Sequence, residues 1–109
     1  MPDNKSELLQ GTLDLLILKT LLAGPLHGYG IAQRILVTSR EILDVRQGSL
    51  YPALHRLERK GLVTAKWKEP ENARMAKFYS LTASGRKHLE GELEQWARYA
   101  RAINWVLEA

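Results

Sequence analysis

The hydrophobic periodicity of the chain changes at Gly61. Before this glycine, three leucines recur at helical spacing, which predicts a helix over about residues 49–60 that Gly61 terminates. After it, residues 62–68 alternate between apolar and polar, and residues 77–81 form a short aromatic run; both runs are typical of strands. The pattern therefore predicts a helix followed directly by a β-hairpin, with residues 69–74 as the hairpin loop.

Three more helices are predicted around this segment. Residues 11–23 are rich in leucine on more than one face, so we expect a helix that is covered on two sides and that Gly24-Pro25 ends. A shorter helix over about residues 29–38 follows His27-Gly28. Thr82 is a suitable N-cap for a last helix over about residues 83–108.

The order of elements is then helix, helix, helix, strand, strand, helix. This is the layout of a winged helix-turn-helix, a mainly α (α+β) fold with three helices, a two-stranded wing and a long C-terminal helix. We expect an N-terminal arm over residues 1–10, a DNA-binding domain over residues 11–82 and a C-terminal dimerisation helix over residues 83–109.

The last predicted helix carries an apolar seam. Its spacing alternates between 4 and 3 residues, which is a heptad pattern. Leaving each large residue exposed forfeits about 1.5–3 kcal/mol, and three short helices cannot cover the whole seam. We expect a second copy of the chain to cover it; packing onto the first helix of the same chain is the alternative. The seam consists of Leu89, Leu93, Trp96, Ala100, Ile103 and Leu107.

The helix before Gly61 has a buried stripe and a polar face. Pro52 is expected to fix the start of this helix, since proline is tolerated in the first turn, where its missing N–H is no loss. Since the N-terminal residues of a recognition helix reach base edges in the major groove, the polar face predicts sequence reading. The residues predicted to read bases are Ser49, Tyr51, Pro52 and His55.

Positive charge is concentrated in residues 45–81. This segment has eight basic residues against three acidic ones, while the rest of the chain is close to neutral. Such a segment is typical of a surface that faces a polyanion, and a solvated basic face is the alternative. The residues predicted to contact the DNA backbone are Tyr29, Arg46, Arg56, Arg59, Lys66, Lys68, Arg74 and Lys77.

The aromatic residues of the hairpin are assigned to packing. We expect Trp67, Phe78 and Tyr79 to hold the hairpin to the helices rather than to stack on bases.

Catalysis and metal binding are disfavoured by composition. The chain has no cysteine, its three histidines lack metal-ligand spacing, and no cofactor is predicted. The N-terminus lacks the order of a signal peptide and the longest apolar run is too short to span a bilayer, so we expect a cytoplasmic protein and no membrane partner. A winged helix used only for protein assembly, or for RNA, is the remaining alternative.

Four motifs resemble the PadR-like transcriptional regulators. They are GTLDLLIL at residues 11–18, HGYGI at 27–31, GSLYPALHRLE at 48–58 and YSLTASG at 79–85. The resemblance implies a bacterial-type winged-helix repressor that dimerises through its last helix and binds an inverted-repeat operator. The single C-terminal helix is similar to that of the short subgroup of the family.

Two further features are implied by the resemblance. Some relatives bind flat hydrophobic effectors between their C-terminal helices, so Trp96 either lines such a pocket for a planar aromatic compound or simply packs at the seam. Family wings tend to have a Gly-rich, doubly basic turn. In this chain, residues 69–74 contain two acidic residues and a single arginine, Arg74. The resemblance therefore does not imply that the wing of this chain contacts the minor groove.

Overall fold

The computed structural model describes residues 4–69 and 75–109, with the side chains of the first helix from Thr12 onwards. Within these residues the order of elements is the predicted one, with one short strand added before the second helix. The helices are α1 (Asn4–Leu21), α2 (Gly28–Thr38), α3 (Gln47–Arg59) and α4 (Ala83–Glu108), and the strands are β1 (Leu26–His27), β2 (Val63–Lys68) and β3 (Ala76–Leu81).

Helix α1 begins earlier than the sequence predicted. It starts at Asn4, so residues 4–10, which were assigned to an N-terminal arm, are helical. Most of these residues are good helix formers, and a single glycine at position 11 costs only about 1 kcal/mol inside a helix, so it does not act as a start signal. The helix ends at Leu21, and Gly24 then adopts a φ of +146°, a conformation that glycine reaches without steric cost.

The core lies between the first three helices and the inner face of the sheet. Helix α1 contacts α2, α3 and α4, so it is covered on two sides as predicted. The inward faces that periodicity assigned to α2 and α3 are buried as well. The main buried side chains are Leu13, Ile17, Leu18, Leu21, Ile31, Ile35, Leu50, Leu54 and Leu57.

The wing belongs to a three-stranded antiparallel sheet in the order β1-β3-β2. The predicted hairpin of β2 and β3 is present, with Ala65 opposite Tyr79. Strand β1 was not predicted because it has only two residues, too few to show a period of two. It pairs His27 with Phe78 and so ties the start of α2 to the wing.

Helix α3 begins before the position that Pro52 was expected to mark. Its first residue is Gln47, and the carbonyl of Arg46 accepts hydrogen bonds from the N–H groups of Ser49 and Leu50 at 3.0 and 2.9 Å. Pro52 therefore lies inside the helix, beyond the first turn, and the prediction that it starts the helix was wrong. Proline pre-sets a helical φ, and the carbonyl of Gly48, which an N–H at position 52 would bond, belongs to an exposed residue, so water can satisfy it.

Helix α4 is joined to the end of α3 by a compact junction. Thr82 caps α4 by accepting a hydrogen bond from the N–H of Gly85 at 2.9 Å, as predicted for this residue. Its hydroxyl donates to the carbonyl of Gly61 at 2.7 Å, and its N–H donates to the carbonyl of Leu62 at 3.1 Å. The start of α4 is therefore held directly against the turn that follows α3.

Candidate nucleic-acid interface

The outer face of α3 presents the predicted reading residues. Leu50, Leu54 and Leu57 point into the core, which leaves Tyr51, Pro52 and His55 exposed and Ser49 half-buried. Arg59 is exposed in the last turn of the same helix. The helix therefore offers hydrogen-bonding and apolar groups near its start and positive charge near its end.

Tyr51 does not stand free on this face. Its ring lies against the backbone of Gly28, the buried first residue of α2, so closely that a Cβ at position 28 would be 2.8 Å from the tyrosine hydroxyl oxygen. The side chain is still 44% exposed, so one edge of the ring faces solvent. The sequence placed Tyr51 on the reading face but had no signal for this contact with α2.

The start of α2 is organised by His27. Its Nδ1 accepts a hydrogen bond from the N–H of Gly30 at 3.0 Å and so caps the helix. The imidazole ring also meets Phe78 edge-on, with 5.2 Å between ring centroids. Next to it, Tyr29 is 62% exposed and its hydroxyl accepts a hydrogen bond from Gln33. Strand pairing and capping hold the start of α2 in place, with Tyr29 exposed next to Gly28, the residue that contacts Tyr51 of α3.

Several of the predicted phosphate-binding side chains have partners within the chain. Arg56 forms an ion pair with Asp14 at 3.0 Å, and Lys77 forms one with Glu58 at 3.3 Å. The Nζ of Lys68 lies 5.8 Å from the centre of the Phe78 ring, a cation–π distance. The pairs are partly exposed, so phosphates can compete for these cations.

Three predicted cations are exposed and unpaired within the described ranges. The side chains of Arg46, Arg59 and Lys66 have no hydrogen bond, ion pair or aromatic contact with residues 12–69 or 75–109. Arg46 immediately precedes α3 and Arg59 ends it, so positive charge flanks the reading face on both sides. The prediction for Arg74 lies outside the described residues.

Tyr79, on β3 of the wing, lies close to charged and aromatic side chains of this surface. It is 5% exposed, and burial raises the pKa of its hydroxyl above the ordinary value of 10.0, an effect that the positive charge of Lys77 opposes. The Nζ of Lys77 lies 5.5 Å from the centre of its ring. The neutral phenol is therefore the form that fits the folded chain.

Comparison with known proteins identifies the family. A model of the PadR-like family of transcriptional regulators matches residues 17–91. The chain belongs to this family. The match contains three of the four motifs in full and the last two residues of the first. It confirms the family resemblance and the winged-helix fold, and it identifies the chain as a DNA-binding transcriptional regulator rather than an enzyme.

Solved structures of similar size share the fold. A transcriptional regulator from Clostridium thermocellum is 28% identical with a TM-score of 0.82, and the match covers 90% of this chain and 95% of that one. A PadR family transcriptional regulator from Eggerthella lenta is 29% identical with a TM-score of 0.80, covering 94% and 88%. An uncharacterised protein of Lysinibacillus sphaericus is 27% identical over 104 residues, 95% of each chain.

The wing of this PadR-like regulator differs from the sequence prediction at Trp67. The residue was expected to pack the hairpin onto the helices, but it is 64% exposed. It shares the inner face of β2 with Val63 and Ala65, yet it lies nearer the loop, opposite Lys77, where the helices no longer cover the sheet. Alternation predicted the face correctly and could not show where the core ends. Tyr79 is buried as predicted and Phe78 is half-buried.

Along α4 the seam divides into two parts. Leu89 is 2% exposed because it packs into the core of its own chain, so it is not available to a partner as the seam prediction assumed. Leu93, Trp96, Ile103 and Leu107 are 39%, 48%, 54% and 75% exposed, and Ala100 is half-buried. Among the seam residues, Leu89 is therefore the one that belongs to the core of its own chain, and α4 as a whole contacts α1.

A shallow groove of about 330 Å³ lies beside the exposed seam on α4. Trp96 does not line it. The groove is lined by Gln95, Arg98, Tyr99, Arg101, Ala102 and Trp105.

Two classes of site are not found in the part of the chain that the structure describes. No three histidine, aspartate or glutamate side chains of residues 12–69 and 75–109 group together as metal ligands. None of the helices described is long and apolar enough to cross a membrane.

Proposed function

We propose that this PadR-like regulator is a homodimeric repressor that reads an inverted-repeat operator with the outer face of α3. The observation that carries the proposal is the composition of that face, where Ser49, Tyr51, Pro52 and His55 are flanked by the unpaired cations Arg46 and Arg59. A major groove admits one helix, and base contacts there come from the first turns of that helix.

Phosphate contacts would supply most of the affinity. Arg46, Arg59 and Lys66 from two protomers give about six contacts, and neutralising six phosphates makes the logarithm of affinity fall with a slope of about −5 against the logarithm of salt concentration. Binding to a duplex from the promoter region beside the regulator's own gene should weaken about a thousandfold between 50 and 200 mM salt. Binding that stays constant from 50 to 300 mM salt would contradict the proposal. A winged helix used only in protein assembly would show no such binding, and one used for RNA would prefer RNA.

Substitutions separate positioning on the backbone from base reading. Arg59→Ala should weaken binding to all duplexes alike, because phosphates carry no sequence information. Tyr51→Ala should change the preference among operators selected from a random duplex pool. An unchanged preference in Tyr51→Ala would show that the reading face has been assigned wrongly.

A two-fold dimer would account for the exposed seam. Leu93, Trp96, Ile103 and Leu107 leave a large apolar surface on α4, and a second copy of the helix is the partner that a heptad pattern favours. Such a dimer would place two recognition helices about 34–36 Å apart, one turn of DNA. Sedimentation of Ile103→Glu should show a monomer with weakened operator binding. Trp105→Glu is the matched control, since Trp105 is exposed but lies off the seam, and it should stay dimeric.

Trp96 is the proposed effector contact within that dimer. It is 48% exposed at the middle of the seam, where two α4 helices would enclose it. A planar aromatic compound that binds there should quench tryptophan fluorescence in the natural chain but not in Trp96→Ala, and it should lower operator affinity. A screen in which no compound changes DNA affinity would leave Trp96 as a packing residue.

A further inference from the structure

We propose that Gly28 is a positioning residue for DNA recognition, because the absence of a side chain there sets where the ring of Tyr51 lies on the reading face. The inference rests on the proposed function, in which Tyr51 contacts bases. It extends that function to a residue of α2 that is buried and has no side chain with which to read a base.

The contact between the two residues leaves no room for a methyl group. An ideal Cβ at position 28 would lie 2.8 Å from the hydroxyl oxygen of Tyr51, 2.9 Å from Cε1 and 3.0 Å from Cζ. Ordinary van der Waals contacts of a Cβ begin at 3.4 Å, so the ring occupies space that only a glycine leaves open. Gly28 belongs to α2 and Tyr51 to α3, so this contact packs the Tyr51 ring against the start of α2.

The backbone of Gly28 does not require glycine for its own conformation. Gly24 and Gly61 are the described glycines with positive φ, and Gly28 has a backbone that alanine adopts. The cap of its helix is the hydrogen bond from the N–H of Gly30 to His27 Nδ1, which involves no atom of Gly28. The requirement for glycine thus comes from the neighbouring ring and not from the turn.

An added methyl group would move the ring rather than unfold the domain. The atoms it meets are the far end of a side chain that is 44% exposed, so the ring can turn towards solvent. To reach ordinary contact, the hydroxyl must retreat by about 0.6 Å from its place over Gly28. Binding groups must be held to within about 0.5 Å of their working position, so this displacement is large enough to alter base contacts.

The test compares operator discrimination in Gly28→Ala with that in a matched variant. Discrimination is the ratio of dissociation constants for the selected operator and for operators with single base-pair changes. In Gly28→Ala this ratio should change at least fivefold at the base pair nearest Tyr51, while the melting temperature of the protein stays within a few degrees. Gly30→Ala is the control, because it adds the same methyl group two residues along α2, 3.3 Å from Leu26 and away from Tyr51. It should keep the natural ratio.

Double variants identify the ring as the route of the effect. With Tyr51→Ala in place, adding Gly28→Ala should change nothing further. With Tyr51→Phe in place, Gly28→Ala should still alter discrimination, because ring carbons as well as the hydroxyl lie within 3.0 Å of the new methyl group.

Each outcome either supports or overturns the assignment. Sequence-specific binding by the natural chain with an unchanged ratio in Gly28→Ala would overturn the role of Gly28 and leave the proposed function standing. A natural chain that does not distinguish duplex sequences would overturn the proposed function itself. If Gly28→Ala fails to fold and Tyr51→Ala does not restore folding, the methyl group clashes elsewhere and the assignment is wrong.

Discussion

Gly85 gives the sharpest test of how α4 is attached to the DNA-binding domain. A Cβ at this position would collide with the carbonyl oxygen of Leu62 and would lie 2.9 Å from the side chain of Leu81. That carbonyl already accepts the hydrogen bond from the N–H of Thr82. Unlike the ring over Gly28, the obstacle here is backbone, so Gly85→Ala must shift the start of α4 relative to the wing.

The size of the effect follows from three contributions. Overpacking against fixed neighbours costs about 1–3 kcal/mol. Weakening the hydrogen bond from Thr82 to Leu62 costs about 1 kcal/mol more. Replacing glycine by alanine within a helix returns up to about 1 kcal/mol. We therefore expect Gly85→Ala to lower the free energy of unfolding by about 2 kcal/mol.

Gly91→Ala is the matched control for this substitution. Gly91 lies in the same helix, is exposed and has no atom within 4 Å of its would-be Cβ, so only the gain in helix propensity remains. Urea unfolding at one fixed protein concentration should show Gly91→Ala stabilised by up to about 1 kcal/mol. The melting temperature of Gly85→Ala should fall by roughly 8–16 °C. Equal stability of the two variants would refute the close packing of α4 on Leu62.

Three other predictions concern the same scaffold. Thr82→Ala should lower the free energy of unfolding by about 1–2 kcal/mol in urea titrations, since it loses the cap of α4 and the hydrogen bond to Gly61; a change below 0.3 kcal/mol would contradict the junction. Because burial raises the pKa of Tyr79, the stability it contributes is fully present below pH 10 and is lost as pH rises through its pKa in the folded chain; Tyr79→Phe should flatten this alkaline loss in thermal scans. Asp14→Asn should change the free energy of unfolding by less than about 1 kcal/mol, because its ion pair with Arg56 is partly exposed; a loss near 3 kcal/mol would show that the pair is buried in solution.

Much of the fold and the outline of the candidate site could be predicted because the signals are local. A helix buries one face, so the spacing of Leu50, Leu54 and Leu57 was sufficient to orient α3 and to leave Tyr51 and His55 outside. Hairpin strands and helix caps likewise depend on residues close together in the chain. The motifs then brought in the family, which composition and periodicity alone did not identify.

The wrong predictions concern where a helix begins and where the core ends, which local sequence rules do not determine. Pro52 was taken as a start signal, but proline is excluded from helices only where its missing N–H and its ring conflict with neighbours, and α3 extends to Gln47 before it. Trp67 was assigned to the correct face of β2, but exposure there depends on how far the helices reach across the sheet. Leu89 follows the heptad and yet belongs to the core.

The sequence by itself determined the order of the four helices and the two wing strands, the inward faces of α2 and α3, the concentration of positive charge around α3 and the apolar seam on α4. Only the tertiary structure decided which of these residues act on one another. Asp14 forms an ion pair with Arg56, 42 positions away in the sequence, and Glu58 forms one with Lys77. The ring of Tyr51 packs against Gly28. The physical reason is that such contacts depend on the crossing of helices and on strand pairing, which bring together residues that share no local periodicity.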